Sequence, residues 1–263
     1  MSFCFGCDVG MVAIIAHRGA SNLAPQNTLS AFEKAIEIGA DMIELDVHLT
    51  KEGEVVVMHD AEVDSTTDGS GKLSEMSLRE VKCLDAGSNF GEEFAGEKVP
   101  TLDEVLELTN GEIELNIELK TRSGKNEGIE EEVLSLVEEY GMGKDVLISS
   151  FSFESVERVK DLNSDISVGL LYITLPFTSW HSKRIHKKYP WANAAHPWHW
   201  TVGKRHVQKL HELGVDVNVW TVDSERNIRK MLESGVDGII TNRPRLTRKI
   251  SRKKSEADEI LGA

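Results

Sequence analysis

The chain reads as an α/β barrel of eight strands, and three observations point there. Short apolar, strand-like runs alternate with amphipathic stretches along most of its 263 residues, the pattern of parallel strands joined by helices. The length suits such a barrel, which typically takes about 250 residues. Several strands also alternate polar and apolar positions, as in Glu114-Leu115-Asn116-Ile117-Glu118-Leu119. The rival architecture, a doubly wound sheet, is covered by helices on both faces and reads apolar on both.

The elements follow in order. An apolar strand spans 12–16. Asn27 caps a helix over 29–38, whose apolar face is Leu29, Phe32, Ala35 and Ile36. The second strand is 42–47; Gly53 interrupts the pattern, and 54–58 resumes as an extended segment. Further strands lie at 114–119, 146–149, 167–171, 192–195, 215–219 and 238–240. Helices fall near 102–109, 127–140, 153–162, 178–188, 203–213 and 224–234, with a last one after Arg245. Residues 61–100 break the repeat: they are rich in Ser, Thr, Gly and Asp, with one helical piece at 77–83. A connection that long is a functional loop or a small subdomain, here a cap at the C-terminal face. The expectation is a (β/α)8 TIM barrel with a small insertion subdomain after the second strand. Its parts are a leader at 1–11, the barrel at 12–250 including the cap at 61–100, and a tail at 251–263.

Composition bounds the function. The 30 basic and 44 acidic residues leave a net charge of −14, which argues against a nucleic-acid surface, since neutralising phosphates needs a basic stripe. Cys4 and Cys7, with two residues between them, lie near the N-terminus, with no second pair to complete a zinc set and no βαβ pattern around them. They read as an ordinary leader, and Met11 offers an alternative start. The first ten residues lack a basic region followed by an apolar core, and no apolar run approaches the about 18 residues of a membrane span. These features suggest a cytoplasmic protein without a transmembrane segment. The oligomeric state is not legible.

The chemistry collects at the ends of strands. Residues two apart on a strand share a face, so Glu44 points with Asp46, and Glu118 with Lys120. Glu44, Asp46 and Glu118 offer only oxygen ligands, which suits one divalent cation, Mg2+ or Ca2+, better than zinc. His17 and His59 close neighbouring runs and form a candidate acid/base pair, because histidine titrates near neutrality; the residues alone leave open which is acid and which is base. His48 shares the face of Glu44 and Asp46 and reads as a rim residue. Asp60 either orients a histidine or starts a loop, the second being the preferred reading. Trp180, Trp191, Trp198 and Trp200 cluster between 175 and 200, mainly as helix-layer packing, with an apolar lip at the barrel mouth as the sharper alternative. His196 lies among them at a strand end and is not read as catalytic. Basic residues from Arg243 to Lys254 read as a solvated tail.

The runs HRGASNLAPQNTLSAFEKAIEIGADMIELDV, VVVMHD, TTDGSG, LDAG, VPTLDEVL, NIELK, VWTV and DGIITNRP occur in this order over about 12–246. Together they resemble the glycerophosphodiester phosphodiesterase family. The resemblance implies hydrolysis of a glycerophosphodiester to an alcohol and sn-glycerol 3-phosphate with a divalent cation. It places the family's histidine pair on His17 and His59 and its metal carboxylates on Glu44, Asp46 and Glu118. Arg18 and Lys120 match its phosphate-contacting positions, Trp220 an aromatic near the glycerol, and Asn27 a substrate-side position. In the family view His17 activates the nucleophile, which can be the glycerol's own hydroxyl, giving a cyclic phosphate that water then opens, and His59 protonates the leaving alcohol. The chain departs from the family pattern at Gln26, Ser65 and Asn242, where Glu, Arg and Asp are usual. Two rivals remain: a lysophospholipase D touching a membrane surface peripherally, and a non-catalytic phosphate-binding barrel.

Overall fold

A computed structural model describes residues 12–121, 128–173 and 179–262. The Cys4/Cys7 pair, Met11 and the leader lie outside the described residues.

Eight parallel strands close into a barrel. In chain order they are β1 (Ala13–His17), β2 (Met42–Leu49), β4 (Glu114–Leu119), β5 (Val146–Ser150), β6 (Ser167–Tyr172), β7 (Ala194–Pro197), β8 (Asp216–Val219) and β9 (Gly238–Thr241). Closure comes from β1, which pairs with β2 on one side and β9 on the other. The extended segment expected at 54–58 is β3 (Val55–Val57), which folds back antiparallel on the end of β2 and stays outside the barrel. The strand expected at 192–195 is displaced to Ala194–Pro197. Just before it the Asn193 side chain accepts the Val168 N–H at 2.9 Å, so the ladder with β6 begins and ends two residues later than composition suggests.

The alternation on each strand sorts residues between two cores. Ile43, Leu45, Val47, Leu115, Ile117 and Leu119 are buried in the large core between sheet and helices. Inside the barrel the apolar cluster is small: Ala13, Ile15, Met42 and Ile240, with Trp220 against it. The rest of the interior is polar, as where the buried Ser149 hydroxyl donates to Asn116 Oδ1 at 2.8 Å. This polar lumen is what separates the barrel from a doubly wound sheet.

The outer ring is α1 (Leu29–Ile38), α3 (Leu102–Thr109), α4 (Ile129–Glu139), α5 (Phe153–Leu162), α6 (Ser179–Lys188), α7 (Lys204–His211), α8 (Glu225–Ser234) and α9 (Pro244–Gly262). The cap of α1 is Thr28, whose side chain accepts the Ala31 N–H, and not Asn27. Helix α9 continues through 251–262, where a tail was expected. Buried Ile250 and half-buried Leu246 give it an apolar face against the barrel, and Lys254 reaches the Leu232 carbonyl at 2.9 Å.

Between β3 and α3 the chain makes three single 3-10 turns and one short helix, α2 (Leu78–Cys83), held by a reciprocal Ser77/Glu80 cap. Val56, Met58, Val63, Leu73, Val81, Leu84, Ala86 and Val99 form its own apolar cluster. No helix among the described residues is long and apolar enough to cross a membrane.

Candidate active site

Strand register assembles the site. His17 stands level with Glu44, and Asp46 with Glu118, across the β1–β2 and β2–β4 pairings. Oxygens of Glu44, Asp46 and Glu118 lie within 4.8 Å of one another, and all three residues are buried. Two cations reach into this acidic group. Arg18 Nε is 3.1 Å from Asp46 Oδ2; Lys120 Nζ is 2.9 Å from Asp46 Oδ1 and 2.5 Å from Glu118 Oε1.

Three buried carboxylates against two cations leave an excess negative charge, and the titration behaviour records it. Burial, then the charges of Asp46 and Glu118, push the Glu44 carboxyl well above the ordinary carboxylate range. Burial likewise lifts Glu118 to about 7, against the pull of Lys120. Burial opposes ionisation of Asp46 too, but Lys120 and Arg18 together hold it at about 2. An all-oxygen, electron-rich cage that holds protons for want of positive charge fits a hard divalent cation.

The two histidines are held differently. His17 Nδ1 is 2.6 Å from the Asn242 amide oxygen, and its Nε2 is 3.9 Å from Glu44 Oε2. Burial, helped by Arg18, lowers its pKa to about 4. His59 Nδ1 donates to Asp60 Oδ1 at 2.7 Å, and Asp60 Oδ2 accepts from the Ser65 hydroxyl at 2.5 Å. Burial lowers the His59 pKa as well, while Asp46 and Asp60 counteract it. Asp60 therefore orients a histidine and does not merely open a loop. His48 donates Nε2–H to the His59 carbonyl at 3.0 Å, so it braces the backbone of that histidine and keeps away from the carboxylates.

The turn after β1 carries strain. Arg18 sits at φ 55° and Gly19 at φ 80°, and a Cβ on Gly19 would lie 2.7 Å from the Ala31 backbone. That conformation points the Arg18 N–H at Glu44 Oε2, 3.0 Å away, while its guanidinium bonds Gln26 at 2.5 Å. Asn27 is buried and donates Nδ2–H to Asp46 Oδ2 at 2.9 Å, so it contacts a carboxylate of the cluster.

A cavity of about 100 Å3 is lined by His17, Arg18, Glu44, His59, Glu118, Lys120 and, on its apolar side, Phe151, Leu171 and Trp220. His59, Glu118, Lys120 and Phe151 also wall a larger neighbouring cavity of about 350 Å3, which adds His48, Asp60, Ser74, Thr121 and Ser150. Trp220 is fixed by its Nε1–H to the His196 carbonyl at 2.7 Å and by an edge contact with Phe151. His196 itself is fully buried, its Nε2 facing Asn218, and lies outside the cleft. Phe151, Ile173, Trp198 and Trp200 are exposed where β5, β6 and β7 end, an apolar rim on the mouth. Trp191 packs against the helix-layer core.

A (β/α)8 barrel with acids, histidines and cations gathered at strand C-terminal ends defines a barrel enzyme. A family model, the glycerophosphoryl diester phosphodiesterase family, matches residues 17–246. The chain is 42% identical to a glycerophosphodiester phosphodiesterase of Caldanaerobacter subterraneus subsp. tengcongensis, over 91% of this chain and 98% of that one. It is 37% identical to one from Bacillus altitudinis, over 89% and 96%. A phosphodiesterase of Oleispira antarctica, solved in complex with the product sn-glycerol-3-phosphate, superposes with a TM-score of 0.83 at 29% identity, covering 91% of this chain and 96% of that one. The chain belongs to the glycerophosphoryl diester phosphodiesterase family.

Proposed function

We propose that the chain hydrolyses a glycerophosphodiester to an alcohol and sn-glycerol 3-phosphate, with His17 as base, His59 as acid and one divalent cation, Mg2+ or Ca2+, on Glu44, Asp46 and Glu118. The observation that carries this is a single small cavity lined by both histidines, all the cations and two of the carboxylates. The product-bound Oleispira relative supports the substrate class.

A phosphodiester is an anion that repels nucleophiles, so the site must offset charge and move two protons. When bound, the cation supplies charge neutralisation and polarises phosphoryl oxygens. Arg18 and Lys120 add fixed positive charge beside it. His17, held neutral at working pH by burial, takes on Nε2 the proton of the attacking glycerol hydroxyl, and returns it to that oxygen when water opens the resulting cyclic phosphate. His59, backed by the Asp60 carboxylate, is the better-placed group to carry a proton and give it to the leaving oxygen. The smaller cavity, with Trp220 on its wall, receives glycerol. The larger one, beyond His59, receives the leaving alcohol.

Release of glycerol 3-phosphate from glycerophosphocholine, measured with Mg2+, Ca2+ or EDTA, tests this. Metal-dependent release that His17→Ala abolishes is expected; a folded protein that releases none with any metal overturns the reading. The exposed rim of Trp198, Trp200, Phe151 and Ile173 supports a second reading, lysophospholipase D. It predicts faster turnover of a micellar lysophospholipid than of the soluble diester.

A further inference from the structure

His17 has two competing neighbours, and the tautomer it adopts depends on which one wins. The Glu44 carboxylate attracts a proton on Nε2 but stands 3.9 Å away, beyond hydrogen-bond reach. The Asn242 side-chain oxygen attracts a proton on Nδ1 from 2.6 Å. An amide can present either its oxygen or its NH2 to the ring, so what fixes the Asn242 amide fixes His17.

Asp223 fixes it. Its Oδ2 faces Asn242 Nδ2 at 2.7 Å, and an ionised carboxylate only accepts, so the NH2 must lie on that side. Its other oxygen accepts the Asn242 backbone N–H at 2.8 Å and the Thr241 hydroxyl at 3.1 Å, which pins the carboxylate itself. The Asn22 N–H, 3.2 Å from the Asn242 carbonyl, ties the backbone from the other side. Strand order makes the chain of contacts: Asp223 follows β8, Asn242 follows β9, and β9 pairs with β1, which ends in His17.

We propose that Asp223 and Asn242 are positioning residues that set the Nδ1–H tautomer of His17 and so leave the Nε2 lone pair facing the cleft. Neither needs to touch substrate. The assignment rests on the reading of His17 as the base, but the tautomer is observable without turnover.

The test is a long-range 1H–15N correlation on 15N-histidine-labelled protein, with the His17 signals identified by their loss in His17→Gln. Wild type is expected to show protonated Nδ1 and bare Nε2; the opposite pattern overturns the proposal even if no variant folds. In Asp223→Asn the new amide must keep its oxygen on the Asn242 backbone N–H and turn its NH2 to the Asn242 side chain. That side chain then flips, its NH2 faces His17, and the tautomer inverts. We expect kcat on glycerophosphocholine to fall about 10–100-fold, as for other residues that orient a functional histidine, with KM changed far less. The exchange variant Asp223→Asn/Asn242→Asp keeps every donor opposite an acceptor and should restore both the tautomer and most of kcat. Retention of tautomer and rate in Asp223→Asn, or an exchange variant no better than the single one, overturns the proposal. Absence of turnover in wild type with the expected tautomer would instead fail the functional reading alone.

Discussion

Asn27 holds Asp46 from behind: its side-chain NH2 donates to Asp46 Oδ2 at 2.9 Å, and its own φ of 58° is what lets it reach. The left-handed region is several-fold enriched in Asn among non-glycine residues. One residue thus meets a backbone requirement and orients a carboxylate.

Two substitutions separate those roles. Asn27→Gly keeps the backbone free to adopt the positive φ and removes both side-chain bonds to Asp46, the donation to Oδ2 and the acceptance of its backbone N–H. Its metal affinity, read from the Mg2+ dependence of the rate, should weaken about 10–100-fold, with saturating metal recovering most of kcat. Asn27→Val adds backbone strain and should also lower stability by about 1–3 kcal/mol, seen in urea unfolding.

The carboxylate cage has a direct test. Glu118→Gln removes the charge of one proposed ligand and releases Lys120 from its 2.5 Å partner. Calorimetric titration with Mg2+ or Ca2+ should show binding weakened at least tenfold. An unchanged affinity would mean that Glu118 is not a ligand.

The acid and base roles predict different responses to the leaving group. His59→Ala should cost about 100–10,000-fold on glycerophosphocholine. It should cost far less on a glycerophosphodiester of p-nitrophenol, whose anion departs without a proton. His17→Ala should be slow on both, and equal losses for His59→Ala on the two substrates would remove its acid role.

His186 has neither ring nitrogen hydrogen-bonded among the described residues, and burial lowers its pKa from 6.5 to about 4. A base whose folded pKa lies below its unfolded value binds fewer protons when folded. Stability is therefore intact above about 6.5 and is lost progressively as pH falls towards 4, by on the order of 3 kcal/mol. His186→Phe, packed on Tyr172 as the imidazole is, should flatten that dependence. Urea midpoints at pH 7.5 and 5.0 should differ less in the variant than in wild type.

The Gly19 turn leaves no room for a side chain. Gly19→Ala would force Ala31 aside and disturb the Arg18 N–H contact to Glu44. We expect a loss of about 1–3 kcal/mol in stability together with a lower kcat.

Much of the site was legible along the chain because strand alternation is local. Glu44 with Asp46, and Glu118 with Lys120, share a face whatever the partner strands do. What alternation cannot give is the neighbour across a strand pair. For Asp60, next to His59 in the chain, orienting a histidine and opening a loop were both legible; the contact with the Ser65 hydroxyl that holds its carboxylate comes only with the folded segment. Asp223 gave no signal at all: it precedes α8 in a stretch that reads as an ordinary helix start, and its proposed role comes from Asn242 just past the next strand.

The sequence by itself determined the barrel, the strand ends that carry chemistry and the family, since periodicity and ordered motifs are properties of neighbours in the chain. Only the tertiary structure decided which side chains meet. It moved the α1 cap to Thr28 and turned Asn27 to Asp46. It gave His59 a carboxylate partner and His17 an amide. Those choices depend on strand register and barrel closure, which bring β8, β9 and β1 side by side although more than 200 residues separate His17 from Asn242. The hydrogen bonds that set a proton's position act over about 3 Å, and no local pattern encodes contacts of that range between distant segments.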